Sequence, residues 1–332
     1  MSSVVEPVIS DAPIDDRHEA TMNDAAASAS SPDPAAARPV KKKTRRSHIN
    51  DATSGKNSKN ENFPVGSFLL PKRLRPHVAK FYRYARAIDD VADDPNLSPE
   101  EKVVKLHAFR AVLEGEKGFG SDYDSAKALR LSLAETGVTT RHGADLVAAF
   151  VQDANKNRYQ TWGELLGYCE LSANPVGRYL LDLHGEDEAG YRYSDALCTA
   201  LQIINHLQDC RDDYLLLNRV YIIGDWMAEE GAKVSDVSLR VLNPAMRRVT
   251  MRMLDGCEDL MAEAKQLPSA LKSKHLAMES AVIIRLAIRL IKLLRNGDPL
   301  AERIDLTKFD FASAGMRGAI AGYFSAGSGA KP

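Results

Sequence analysis

Between about residues 76 and 93, apolar Val78, Phe81, Ala85, Ile88 and Ala92 recur at spacings of 3, 4, 3 and 4. That is the period of a helix burying one stripe. One step around the same cylinder lie Tyr82, Arg86, Asp89 and Asp93, spaced 4, 3 and 4. A second helix carries Leu197, Leu201 and Ile204 as its stripe, followed by Asn205, Asp209 and Asp213 at i, i+4 and i+8, with Gln202 on the same side. The run "AVIIRLAIRLIKLLR" (281–295) is interrupted by Arg285, Arg289 and Lys292 on one face. It reads as an amphipathic helix rather than a membrane span, and nowhere do 18 apolar residues follow in a row.

Glycine and proline divide the rest into segments of helix length, as at "LPKRLRP" (70–76), "NLSPEEK" (96–102), "GEKGFGSDYDS" (115–125) and "RNGDP" (295–299). Ser98-Pro99-Glu100-Glu101 has an N-cap serine, a proline at the first helical position and acids in the first turn. Thr161 and Glu164 have capping-box spacing, and Ser194 with Asp195 is expected to open the helix that follows. No alternating β-branched run lies between turn signals, so the fold class is all-α.

Residues 1–57 are rich in Ala, Ser, Pro, Asp and Lys and nearly free of aromatics. Such a segment buries too little surface to offset its ordering entropy and is expected to be a disordered tail before one domain at 58–325. Its basic run, Lys41, Lys42, Lys43, Arg45 and Arg46, reads first as a solvated cluster. The net charge of −1 provides no global field, so nucleic acid is not an expected partner. Four cysteines, Cys169, Cys198, Cys210 and Cys257, show no CxxC pair or zinc spacing and suit reduced thiols of a cytoplasmic protein. The N-terminus carries acids where a secretory leader needs a basic start.

The chemistry lies in the two acidic rows. Asp89 and Asp93 project from one face about 6 Å apart along the axis, while Asp90 and Asp94 are rotated outward. A single DxxxD pair is usually a solvated face. Two rows, each bordering a buried stripe, are poor places for bare charge unless cations sit there. Mg²⁺ binds through one or two carboxylates and fills its other positions with water and substrate phosphate. Two facing rows suit a diphosphate clamp whose metal ions turn the diphosphate into a leaving group. Arg86 lies on the first row, and Arg219 and Tyr221 follow the second.

The segments "LLPKRLRPHVAKFYRYARAIDDVADD", "YCELSANPVG", "LQIINHLQDCRDD", "RVYI" and "DPLAERIDLTK", in this order, resemble the landmarks of the squalene/phytoene synthase family, the head-to-head prenyl synthases. "ENFPVGSFLLP", "SANPVGRYLLDLHG" and "NHLQDCRDDY" are most similar to its hydroxysqualene synthase branch, from bacterial hopanoid pathways. The resemblance implies a single-domain helical bundle around a deep apolar cavity, with Mg²⁺ as cofactor and no nicotinamide cofactor. The implied reaction is ionisation of presqualene diphosphate with water capture, giving hydroxysqualene and diphosphate. It assigns Asp89, Asp93, Asn205, Asp209 and Asp213 to the metal, the four aspartates being catalytic. Tyr82, Arg86, Gln202, Asn205, Arg219, Tyr221 and Arg303 fall to the substrate. Where many members carry an arginine before the second motif, this chain has Gln208, with Arg211 as a candidate substitute. Glu61-Asn62-Phe63 replaces the usual Ser-x-Ser-Phe, and the C-terminal anchor of eukaryotic squalene synthases has no counterpart here.

Phe150, Tyr159 and Tyr168 fit either an isoprenoid tunnel with cation-stabilising rings or ordinary core. Gly177 suits a close helix approach, Asp153 is a candidate acid, and His184 and His206 read first as hydrogen-bonded structural histidines. Condensation of two farnesyl diphosphates is the enzymatic alternative, and a non-catalytic scaffold on the same fold is the alternative of another class. Peripheral membrane contact, for release of a lipid product, is left open, and oligomeric state is not legible.

Overall fold

Twelve α-helices follow one another through residues 69–328, the part described by the computed structural model, and no strand accompanies them there. They are α1 (Arg75–Asp93), α2 (Pro99–Glu114), α3 (Asp124–Thr136), α4 (Arg141–Asn155), α5 (Trp162–Ser172) and α6 (Asn174–Leu183). Then come α7 (Tyr191–Leu217), α8 (Gly224–Glu229), α9 (Pro244–Ala264), α10 (Leu267–Ala270), α11 (Lys274–Asn296) and α12 (Lys308–Ser325). The tail expected over 1–57, the domain start at 58 and the Glu61-Asn62-Phe63 segment lie outside the described residues.

The expected stripe of α1 is buried throughout, from Val78 to Ala92. It packs α1 against α3 and α4, and the ring of Phe81 stacks on Tyr179 of α6 at 4.0 Å. The longest helix, α7, packs against α6, α9 and α11. Gly177 allows the α6–α7 approach: a Cβ there would lie 2.3 Å from Ser194 Oγ and 2.6 Å from Cys198 Sγ. At the amphipathic segment of α11, Arg285 and Lys292 are exposed while Arg289 donates to Asp310 of α12 at 2.7 Å.

Local signals hold unevenly. Ser98 and Glu101 form the expected reciprocal box. Thr161 caps α5 by accepting from the Glu164 N–H, but the Glu164 carboxylate takes the Gln160 N–H instead of closing a box on Thr161. Ser194 does not open a helix. A 3₁₀ turn at Glu188–Gly190, capped by Asp187, starts the chain into α7 earlier, leaving Ser194 buried at the α6 crossing. Asp195 is instead held by the Arg178 guanidinium at 2.6–3.2 Å.

The segment after α7 positions the site. Asn218 ends α7 at φ 54°, in the left-handed region that asparagine tolerates. The chain then runs beside residues 157–160, with Val220 N–H to Asn157 O and Gly224 N–H to Tyr159 O, each 2.9 Å.

Candidate functional site

Arg219 joins the two acidic rows. Its Nη1 donates to Asp93 Oδ1 at 2.9 Å, its Nη2 donates to the Ala92 carbonyl at 3.2 Å, and its backbone N–H donates to the Asp213 carbonyl at 3.1 Å. Residues 93 and 213 lie far apart in sequence, so tertiary folding brings one end of each row to the same residue. Burial works against the guanidinium's charge. Asp153, Tyr221 and Asp93 outweigh that cost and hold its pKa above the ordinary arginine value.

Behind Arg219 lies a buried aromatic and acidic cluster. Asp153, from α4, accepts from Tyr168 OH at 2.7 Å and from Tyr221 OH at 3.0 Å. Burial pushes its carboxyl up to about 6, although Arg219 and the two hydroxyls pull it down. Burial, reinforced by Asp153, raises both tyrosines well above their ordinary range, so they remain hydrogen-bond donors. The rings of Tyr159, Tyr168 and Tyr221 lie 5.3–5.4 Å apart, and His206 stacks on Tyr221 at 3.5 Å. His206 is also 3.1 Å from Gln202 Nε2 and 3.9 Å from Asp213 Oδ2. The cluster therefore extends from Asp153 to the second row.

One turn before Asp213 on that row, Arg303 Nη1 donates to Asp209 Oδ1 at 2.6 Å, and its Nε donates to Asp305 at 2.9 Å. Gln208, the departure from the family pattern, is buried and donates to the Ile304 carbonyl. It thereby ties down the segment carrying Arg303, so a guanidinium still reaches Asp209. Arg211 is not the substitute. Two positions on from Asp209 it projects from the far side of α7, where its Nε is 3.4 Å from the Ser238 carbonyl.

On α1, Arg86 lies closer to Asp90 (3.1 Å) than to Asp89 (4.0 Å), bracing the row from outside. Asp94 caps the helix end, where the Asn96 backbone N–H bonds it at 2.9 Å and lowers its pKa. Asp89 and Asp93 are thus the inward pair, with Tyr82 buried one turn earlier on the same row and Asn205 half-buried on α7. Lys102 of α2 was not legible as a site residue, because nothing in its helix's spacing marks it. It lies within the electrostatic reach of Arg219, Asp93 and Asp94, and burial followed by the Arg219 charge lowers its pKa. The donors available to a metal are hard oxygens, and among the described residues no three His, Cys, Asp or Glu side chains converge into a cage. That set fits Mg²⁺, which takes few protein carboxylates and shares its shell with water and phosphate.

The sequence profile described as squalene/phytoene synthase matches residues 57–310. The chain belongs to the squalene/phytoene synthase family. It is an enzyme of this type, and its all-α architecture is the family's. A protein of Rhodopseudomonas palustris named hydroxysqualene synthase is 40% identical over 261 residues, covering 79% of this chain and 88% of its own length. Another of that name, from Zymomonas mobilis, is 40% identical over 77% of this chain and 86% of itself. The crystal structure of a squalene synthase HpnC from Alicyclobacillus acidocaldarius superposes with a TM-score of 0.63 at 31% identity, covering 72% of this chain and 89% of that one. Among the described residues no helix is long and apolar enough to cross a membrane.

Proposed function

We propose that the chain ionises presqualene diphosphate and lets water capture the rearranged cation. Presqualene diphosphate and water then give hydroxysqualene and diphosphate, with no reductant consumed. The observation that carries this is Arg219, which follows directly on the end of α7 and whose side chain bonds Asp93 of α1, so that the two acidic rows end beside each other. The 40% identity to proteins named hydroxysqualene synthase supports the choice of reaction.

In this reading Asp89 and Asp93 on α1, with Asn205, Asp209 and Asp213 on α7, would hold Mg²⁺. When bound, the metal supplies Lewis-acid charge that makes the diphosphate a better leaving group. Arg219, Arg303, Arg86 and Lys102 add positive charge around the diphosphate, and Tyr82, Gln202 and Asn205 orient it through hydrogen bonds. Arg219 and Arg303 meanwhile fix the direction of the Asp93 and Asp209 carboxylates through their hydrogen bonds. The Tyr159, Tyr168 and Tyr221 rings present electron-rich faces toward developing cationic charge. Tyr168 and Tyr221 donate their hydroxyls to Asp153, Tyr159 OH accepts from Gln152 Nε2, and burial keeps all three protonated, so no phenolate competes with water for the cation.

The Alicyclobacillus protein's being named a squalene synthase favours a second reading, condensation of two farnesyl diphosphates. Incubating purified protein with each diphosphate and Mg²⁺, then analysing the products by mass, decides between them. Hydroxysqualene from presqualene diphosphate supports the proposal, whereas products from farnesyl diphosphate alone support the second reading. Absence of Mg²⁺-dependent diphosphate binding by calorimetry, unchanged in Asp89→Ala, would point to a non-catalytic scaffold.

A further inference from the structure

The last helix is packed with its small residues inside and its large apolar residues outside. Ala314, Gly318 and Gly322 of α12 are buried against α11. A Cβ at Gly318 would lie 2.7 Å from Val282 Cα, and one at Gly322 would lie 2.4 Å from the Ala277 carbonyl oxygen. Backbone therefore lies close against backbone, and the opposite face is turned outward. That face carries Phe309, Met316, Ile320 and Tyr323 at spacings of 7, 4 and 3, with Phe324 beside them, all between 46% and 79% exposed. A helix stabilised only by its own core would show the reverse arrangement. A continuous apolar stripe of this size marks an interaction surface.

The charge around the stripe indicates what covers it. α11 carries five Lys and Arg and α12 two, which makes seven against the two acids Glu279 and Asp310. Glu279 is buried, Asp310 is bonded to Arg289, and Arg295 is taken by Asp255 and Glu258 of α9, which leaves Lys274, Arg285, Lys292, Lys308 and Arg317 to set the local charge. Lys308 and Arg317 are exposed beside the stripe, and Lys274 Nζ lies 4.3 Å from the centre of the Tyr323 ring. In a chain of net charge −1 this is a local concentration of positive charge. Two copies meeting through this face would bring like charges together. Anionic lipid headgroups complement the cations while the aromatic and aliphatic side chains enter the acyl boundary.

We propose that α12 lies flat on an anionic membrane surface through Phe309, Met316, Ile320, Tyr323 and Phe324, with Lys274, Lys308 and Arg317 on the headgroups. The inference stands on α12 and its neighbours and does not rest on the proposed reaction. Flotation of the full chain tests it, using phosphatidylglycerol–phosphatidylcholine vesicles against phosphatidylcholine alone. Binding to the anionic vesicles, weakened by salt, is expected. Phe309→Ser/Phe324→Ser is expected to weaken it by at least about 10-fold, and Lys308→Ala/Arg317→Ala by about fivefold per cation lost. These side chains are exposed, so an unchanged thermal midpoint shows that the variants fold. Both variants keep the basic run at 41–46, which separates α12 from the tail. Absent binding, or binding that the Phe pair does not change, overturns the proposal. So does a dimer in sedimentation that the Phe pair dissolves while vesicles bind neither form.

Discussion

Replacing Arg219 with methionine keeps most of the side-chain stem and the backbone bond to Asp213, and removes the charge that holds Asp93 of the first row. Its partner Asp93 sits at 2.9 Å, with the two side chains only 8% and 19% exposed. Removing one member of a buried pair costs about 3–5 kcal/mol, largely because the other charge remains buried. Here part of that loss is relieved. Asp153, already raised to about 6 with Arg219 present, moves further up and takes a proton near neutrality. The expected loss for Arg219→Met is therefore about 3 kcal/mol, or about 6–12 °C in thermal midpoint for a domain of this size. Thermal unfolding of the metal-free protein at pH 8 measures it. The deficit should shrink as pH falls toward 5.5, because a neutral Asp153 needs no guanidinium. Arg219→Met/Asp153→Asn should recover part of the loss at pH 8, as a double-mutant cycle reports. A midpoint within 2 °C of the unsubstituted chain, or a double variant no better than the single, refutes the coupling between Asp153 and Arg219.

Other consequences follow from the same contacts. The Asp153 carboxyl is raised from an ordinary 3.8 to about 6 on folding, so its contribution is fully present below 3.8 and lost as pH rises through 6. It amounts to about 3 kcal/mol, read as the difference in pH dependence between the unsubstituted chain and Asp153→Asn. Gly177→Ala drives a methyl into Ser194 and Cys198 and should cost about 1–3 kcal/mol in denaturant unfolding, with m unchanged. Gln208→Ala should loosen the segment holding Arg303, so that kcat falls on the order of 100-fold, as in Arg303→Ala. Gln208→Asn, too short to reach Ile304, should not rescue it.

The helical elements were legible because their signal is periodic. The α1 stripe and the inward phase of Asp89 and Asp93 follow from spacing alone, and the structure buries that stripe. What spacing cannot report is which cation meets which carboxylate. Arg86 shares a face with Asp89 yet lies closer to Asp90, and Arg211 is near Asp209 in sequence while Arg303, 94 positions away, makes the bond. Lys102 carries no mark in its own helix, because its relation to Asp93 exists only once α2 folds back beside the end of α1. The start of α7 was displaced for a local reason: serine is a good cap, but a 3₁₀ turn upstream had already begun the helix. The inverted α12 was hidden because Ala314, Gly318 and Gly322 give no hydrophobic stripe to read.

The central claim is that two acidic rows, joined through Arg219, release diphosphate from presqualene diphosphate for capture by water. The most direct measurement is a timed product analysis of purified protein with presqualene diphosphate and Mg²⁺, run beside Asp89→Asn and a chelated control. The account predicts hydroxysqualene and diphosphate in equal amounts, with activity lost on chelation and kcat reduced at least about 100-fold by Asp89→Asn. No hydroxysqualene from the unsubstituted enzyme, or hydroxysqualene formed equally well by Asp89→Asn, would contradict it.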